Sequence, residues 1–203
     1  MAKLYLGSLR QWHWISSAVC LIGMLLFSIT GITLNHASQI KVKPVITTVE
    51  TIVPEALLPR EQPDHRPQED KARLPATLLA WLDTEQGIYI AASQRAEWSD
   101  DEIYISLPRP GGDAWLSIDL ASGDLLYEKT DRGWISYFND LHKGRNTGTA
   151  WFWFIDVFSV ACIVFCLTGL WLLQRYAGNR PSTWPMVALG FVVPLILIVL
   201  FVH

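Results

Sequence analysis

Three long apolar stretches constrain this chain more than anything else in it. They run from about Trp14 to Leu34, from about Ala150 to Leu173, and from about Trp184 to Val202. A helix needs roughly 20 mostly apolar residues to cross ~30 Å of hydrocarbon, and all three stretches reach that length. Trp12, Trp14, Trp151, Trp153 and Trp184 stand at their ends, where indoles favour the headgroup boundary. The expectation is three membrane-spanning helices.

Charge sets the spans apart from what lies between the first two. Residues 37–148 hold 18 of the 19 acidic residues and 12 of the 16 basic ones, a segment charge of −6. The rest carries Lys3, Arg10, Arg175 and Arg180 against one acid, Asp156. The chain therefore reads as a membrane protein with one polar insert.

The basic residues also predict an orientation. The short 174–183 connection has two arginines and no acid, and the N-terminal segment has Lys3 and Arg10 and no acid. Both are expected on the cytoplasmic side, which places the insert and the C-terminus outside. Lys143 and Arg145 do not oppose this, because long loops cross largely regardless of charge. The first span exceeds the usual apolar core of a signal peptide, and no small-x-small cleavage site follows Leu34, so it is read as retained.

The insert has its own pattern. Residues 41–50 are β-branched and extended. The stretch 59–70, which contains His65, is too polar to pack. Leu74, Leu78 and Leu82 with Trp81 recur at helical spacing, and Gly87 is a plausible stop. Alternating runs at 102–107, 114–120 and 125–128 are separated by Pro-Arg-Pro-Gly-Gly-Asp and Ala-Ser-Gly-Asp, as in an antiparallel meander. One helix on such a sheet is a small α+β module.

The two long spans echo each other. Trp12-His13-Trp14 opens the first and Trp151-Phe152-Trp153 the second; Thr30-Gly31 closes the first and Thr168-Gly169 the second. Spans that run in opposite directions with matched ends suggest an inverted repeat. A Thr-Gly pair lets another helix, or a flat ring, approach the backbone closely. Cys20, Cys162 and Cys166 all fall inside spans. Cys162 and Cys166 share a helix face, as a metal pair would, but read as small packing residues. The insert has no cysteine and hence no disulfide.

The chain has five histidines. His36 closes the first span and His142 stands shortly before the second, at the same predicted edge of the membrane. Two neutral imidazoles on facing helices are what a six-coordinate haem iron needs, and Lys143 and Arg145 would suit its propionates. The plainer reading makes each an interfacial or loop histidine. His13 lies 23 residues before His36, about 34 Å along a continuous helix at 1.5 Å per residue, so the two cannot share a metal. A second, inner haem would need His13 together with a partner from another subunit. His203 reads as a chain-end residue. Asp156, the only acid within a span, is a functional candidate that also lies close to the interface. No nucleophile–base pair, phosphate loop, zinc signature or nucleic-acid footprint is present, and a net-acidic insert is a poor binder of polyanions.

At these residues the chain resembles the PepSY-associated transmembrane helix family. The resemblance rests on Trp12-His13-Trp14, on Thr30-Gly31 through Leu34-Asn35-His36, on residues 117–124, and on Asp140-Leu-His-Lys-Gly-Arg-Asn-Thr-Gly148 through Asp156 to Thr168-Gly169-Leu170. It implies a membrane all-α protein of three transmembrane helices with an inserted periplasmic α+β PepSY-like module. The expected parts are 1–36 (N-terminus and first span), 37–148 (insert), 149–173 (second span), 174–183 (cytoplasmic loop) and 184–203 (third span). Larger relatives are similar to haem-containing inner-membrane proteins that reduce ferric-siderophore iron. By that resemblance His36 and His142 form one haem b ligand pair, and His13 belongs to another. The resemblance further implies a bacterial inner-membrane reductase or electron-transfer subunit. Because no flavin- or nicotinamide-binding signature is present, electrons are expected from a quinol or a protein donor, to be passed to a periplasmic metal complex or protein, and the unpaired inner His13 points to a homodimer or another membrane subunit. The alternative is a membrane-tethered module that binds or restrains a periplasmic partner without haem.

Overall fold

A computed structural model describes residues 7–40, 42–59 and 71–202. Lys3, His65 and His203 lie outside the described residues, as does most of the polar stretch 59–70. The chain divides into two compact units, residues 1–28 with 152–203 and residues 29–151.

The first unit is built on the three expected spans, α1 (Leu9–Asn35), α4 (Gly148–Tyr176) and α5 (Thr183–Phe201), each long and apolar enough to cross a membrane. Helices are the available form there, because hydrocarbon offers no partners and every backbone group must pair within its own segment. Pro194 inside α5 lacks the N–H that would bond the Gly190 carbonyl, a gap that local helix adjustments or neighbouring groups re-satisfy in membrane helices. Lipid is as apolar as leucine, so packing and small residues must hold membrane helices together. On α1 the stripe His13, Cys20, Gly23, Phe27 lies on one helix face, and it meets Phe158, Cys162, Phe165 and Gly169 of α4. Phe158 stacks on Phe27 with ring centroids 5.2 Å apart and on Phe154 at 5.9 Å. A Cβ added at Gly23 would come within 2.3 Å of the Phe158 ring, so only glycine admits that ring here. Partners fall in number along α4 as they rise along α1, which makes the pair antiparallel. Cys162 meets Cys20 across the helices, while Cys166 is exposed. Cys20 and Cys162 thus pack between the helices, whereas Cys166 does not.

The second unit is a six-stranded antiparallel sheet of order β1-β6-β5-β4-β3-β2. Its strands are β1 (Val45–Ile52), β2 (Lys71–Arg73), β3 (Arg95–Trp98), β4 (Glu102–Ser106), β5 (Gly112–Asp119) and β6 (Asp124–Asp131). The three alternating runs form β4, β5 and β6, and the later part of the extended 41–50 segment falls in β1 on the outer edge of β6. One face buries Ile103, Ile105, Leu116, Ile118 and Leu125 against Leu78 and Leu82 of α2 (Ala76–Gln86). Gly87 ends α2 in the left-handed conformation that favours glycine.

One further helix, α3 (Gly133–Lys143), was not expected from the sequence. It is docked through the β4–β5 turn. Gly111 has φ +71°, and a Cβ there would lie 2.8 Å from the Tyr137 backbone, so the turn and the helix touch without an intervening side chain. Asp140, only 6% exposed, accepts a 2.9 Å hydrogen bond from the Gly111 N–H. That bond fixes α3, and with it His142, to the sheet.

Candidate functional site

Each of two histidines sits on a Thr-Gly pair. His142, in the last turn of α3, places Nδ1 2.7 Å from the Thr30 hydroxyl. Its Cε1 lies 3.7 Å from where a Cβ on Gly31 would be. One helical turn away on both helices, the Thr33 hydroxyl is 2.7 Å from the side-chain amide oxygen of Asn139. Thr30 and Thr33 of α1 thus meet Asn139 and His142 of α3, each pair at the i, i+3 spacing that puts two side chains on one helix face. Trp151 Nε1 donates to the Leu141 carbonyl at 2.9 Å and ties the chain beyond α3 to the same turn.

His13 repeats the contact in the other unit. Its Nδ1 lies 3.0 Å from the Thr168 hydroxyl, and its Cε1 3.3 Å from a Cβ placed on Gly169. The ring also stacks on Phe165, with centroids 5.0 Å apart. The other contacts of the Thr168 hydroxyl bear on its tautomer. A hydroxyl carries one proton, and Thr168 also faces its own helix, with Val164 O at 2.7 Å and Phe165 O at 3.0 Å. When the hydroxyl donates there, its oxygen accepts toward His13. In that arrangement Nδ1 holds the ring proton and Nε2 is the acceptor nitrogen of the neutral ring.

The other residues singled out in the sequence are arranged differently. His36 is exposed just beyond α1 and turns to Gln39, with its Nδ1 3.1 Å from the Gln39 amide oxygen. It follows Thr30 by six residues, roughly 9 Å farther along the helix axis and about 120° round it. Lys143 and Arg145 are exposed beside His142 and make no ion pair among the described residues. Asp156 is exposed on α4. Among the described residues no three His, Cys, Asp or Glu side chains cluster as the ligands of a protein-caged ion.

Sequence reading singled out Thr30, Gly31, Thr168 and Gly169 as an echo but missed their histidine partners. It also missed Asn139 and Asp140, and a cleft of about 510 Å³ lined by Arg109, Gly111, Asp131, Trp134 and Tyr137. Trp134 is 76% exposed there. Arg109 is held by a 2.8 Å ion pair to Asp131. The Gly133 N–H bonded to Asp131, together with the Arg109 guanidinium, outweighs desolvation and keeps the Asp131 carboxyl below the ordinary carboxylate range. A Pro-Gly-Gly turn signalled the hairpin, but nothing in its spacing marked a cleft.

Compared with known proteins, the chain matches one family model, described as Putative PepSY_TM-like, over residues 4–203. Neither a curated protein nor a solved structure matches it.

Proposed function

The chain belongs to the PepSY_TM-like family, and from that premise we propose that it is a haem b-binding inner-membrane protein that passes electrons to an iron or other metal complex. In this reading the N-terminus is cytoplasmic and the insert faces the periplasm, where the acceptor, a ferric siderophore for example, is met. The observation that carries it is the seating of His142. A histidine that binds a metal through one nitrogen is characteristically held through the other, and Thr30 holds His142 by Nδ1. His36 is held the same way by Gln39. Both would bind iron through Nε2. A porphyrin supplies four ligands of its own and asks the protein for only two; with His142 seated on Thr30 and His36 turned to Gln39, the two would have to be brought to one iron when haem binds.

Bound haem would supply a one-electron carrier. The chain's own residues supply the rest. Thr30 and Gly31 orient the His142 ring, Asp140 anchors the helix that bears it, and Lys143 and Arg145 offer cations to propionates. The test is haem content by the pyridine haemochromogen method on protein from haem-replete cells. His142→Ala and His36→Ala should each lose most of the bound haem, while Lys143→Gln should lose little. Full retention in both histidine variants would overturn the assignment.

A second reading is favoured by the Arg109 cleft. An exposed tryptophan beside a fixed guanidinium is the make-up of a protein-binding hot spot, and it suits a tethered module that captures a partner protein on the insert side. In that case Trp134→Ala and Arg109→Ala, or Tyr104→Ala and Trp115→Ala on the sheet, abolish capture. The histidine variants leave it intact.

A further inference from the structure

We propose that the cleft beside His13 binds the headgroup of a membrane quinol. The site stands whether or not haem is bound; only its use as the point of electron uptake rests on the function proposed above. The cleft encloses about 480 Å³ and is lined by His13, Gly169, Leu172, Tyr176, Arg180 and Thr183, among others. It lies at the end of the spans that the basic residues assign to the cytoplasmic face.

Its shape follows from one helix stripe. Gly169, Leu172, Leu173 and Tyr176 stand at i, i+3, i+4 and i+7 of α4 and form a wall about 10.5 Å long at 1.5 Å per residue. At one end the His13 ring lies over Gly169. At the other end Tyr176 is held still, because the Arg10 guanidinium lies 5.4 Å above its ring centroid and is hydrogen-bonded to its hydroxyl. A cleft of mixed polar and apolar lining within a membrane unit is open to a ligand that arrives through the bilayer.

The polar groups choose the ligand. His13 lines the cleft with Nδ1 already turned to Thr168, so its remaining hydrogen-bonding atom is Nε2, an acceptor when the Thr168 hydroxyl donates to its own helix. An acceptor needs a hydroxyl. Arg180 and the Thr183 hydroxyl, toward the other end, can bond an oxygen there. A flat ring with a hydroxyl at one end and an oxygen at the other, carried on an apolar tail, is a quinol. The oxidised quinone has two acceptor oxygens and meets His13 acceptor to acceptor. A phosphate headgroup would suit the arginines but would set its anionic oxygens against the same acceptor nitrogen.

The test uses the full chain in nanodiscs of phosphatidylcholine, titrated with a short-tailed ubiquinol and with its oxidised form. Wild type should bind the reduced form saturably and ~10-fold more tightly than the oxidised form, the size of one hydrogen bond made or lost. His13→Phe should weaken quinol binding ~10-fold and erase the preference. Thr168→Val keeps the shape of the side chain, so it should spare the fold. It should still erase most of the preference, because the ring proton is no longer pinned to Nδ1; Thr168 is thus a positioning residue. Equal affinity for both redox forms in wild type would overturn the proposal. So would quinol binding untouched by His13→Phe, or displacement of quinol by phosphatidylglycerol in both wild type and His13→Phe.

Discussion

The two histidine contacts use the same three residue types with the helices' roles exchanged. In one, α1 supplies the histidine and α4 the Thr-Gly pair; in the other, α1 supplies the Thr-Gly pair and α3 the histidine. The difference lies in what holds each ring. His13 grows from a spanning helix, stacks on Phe165, and needs nothing outside the membrane arms. His142 sits on an 11-residue helix whose position depends on the Asp140–Gly111 bond to the sheet. Isolated helices that short are marginal in water, so α3 takes its order from tertiary packing. The first contact is therefore a property of the spans, and the second a property of the folded module.

The strongest way to break this comparison is Gly111→Val. It places a β-branched residue at φ +71° and a Cβ 2.8 Å from the Tyr137 backbone, with an expected cost of ~3 kcal/mol or more. Haem bound at His142 should be lost and α3 should become sensitive to limited proteolysis, while quinol binding beside His13 persists. Loss of both together would erase the distinction. Gly23→Leu attacks the other side. The Phe158 ring is stacked on Phe27 and Phe154 and has little room to retreat, so overpacking should cost ~1–3 kcal/mol. Thermal unfolding in detergent should show it, with the His13 contact failing first.

Thr30→Val is the milder probe of the module end. It removes the hydroxyl that holds His142 but keeps the volume, and should cost ~0.5–1.5 kcal/mol. The informative readout is haem affinity, which should fall severalfold while quinol binding does not change. The smallest effect is expected from pH. The Asp131 carboxyl is held below its ordinary range. Its contribution is therefore fully present above the unfolded carboxylate pKa and is lost as pH falls through the lowered folded value. Asp131→Asn should flatten that acid-side loss of thermal stability and leave the neutral-to-alkaline side as it was.

How much of this was legible in the sequence depended on whether the signal was local. The spans were plain because hydrocarbon demands a run of apolar residues, and their ends fell within a few residues of those expected. The β4–β5–β6 meander was plain because alternation and turn residues are short-range. Helix α3 was hidden because two of its inward residues, Asn139 and Asp140, are polar groups buried for their hydrogen bonds, which in a sequence look like a loop. The short strands β2 and β3 carry only three and four residues and left no alternation to read. The Thr-Gly echo was visible, but its histidine partners lie 112 and 155 residues away, and pairings at that distance leave no periodic trace. Sequence spacing drew His36 toward His142, whereas the fold seats His142 on Thr30 and turns His36 to Gln39.

The central claim is that the module-end histidines hold a haem. The most direct measurement is the visible absorption spectrum of the purified full chain from haem-replete cells, recorded as isolated and after dithionite. The account predicts a Soret band that shifts on reduction, with split α and β bands of a six-coordinate haem that vanish in His142→Ala. A wild-type protein that is well folded and shows no porphyrin absorption in either state would contradict it.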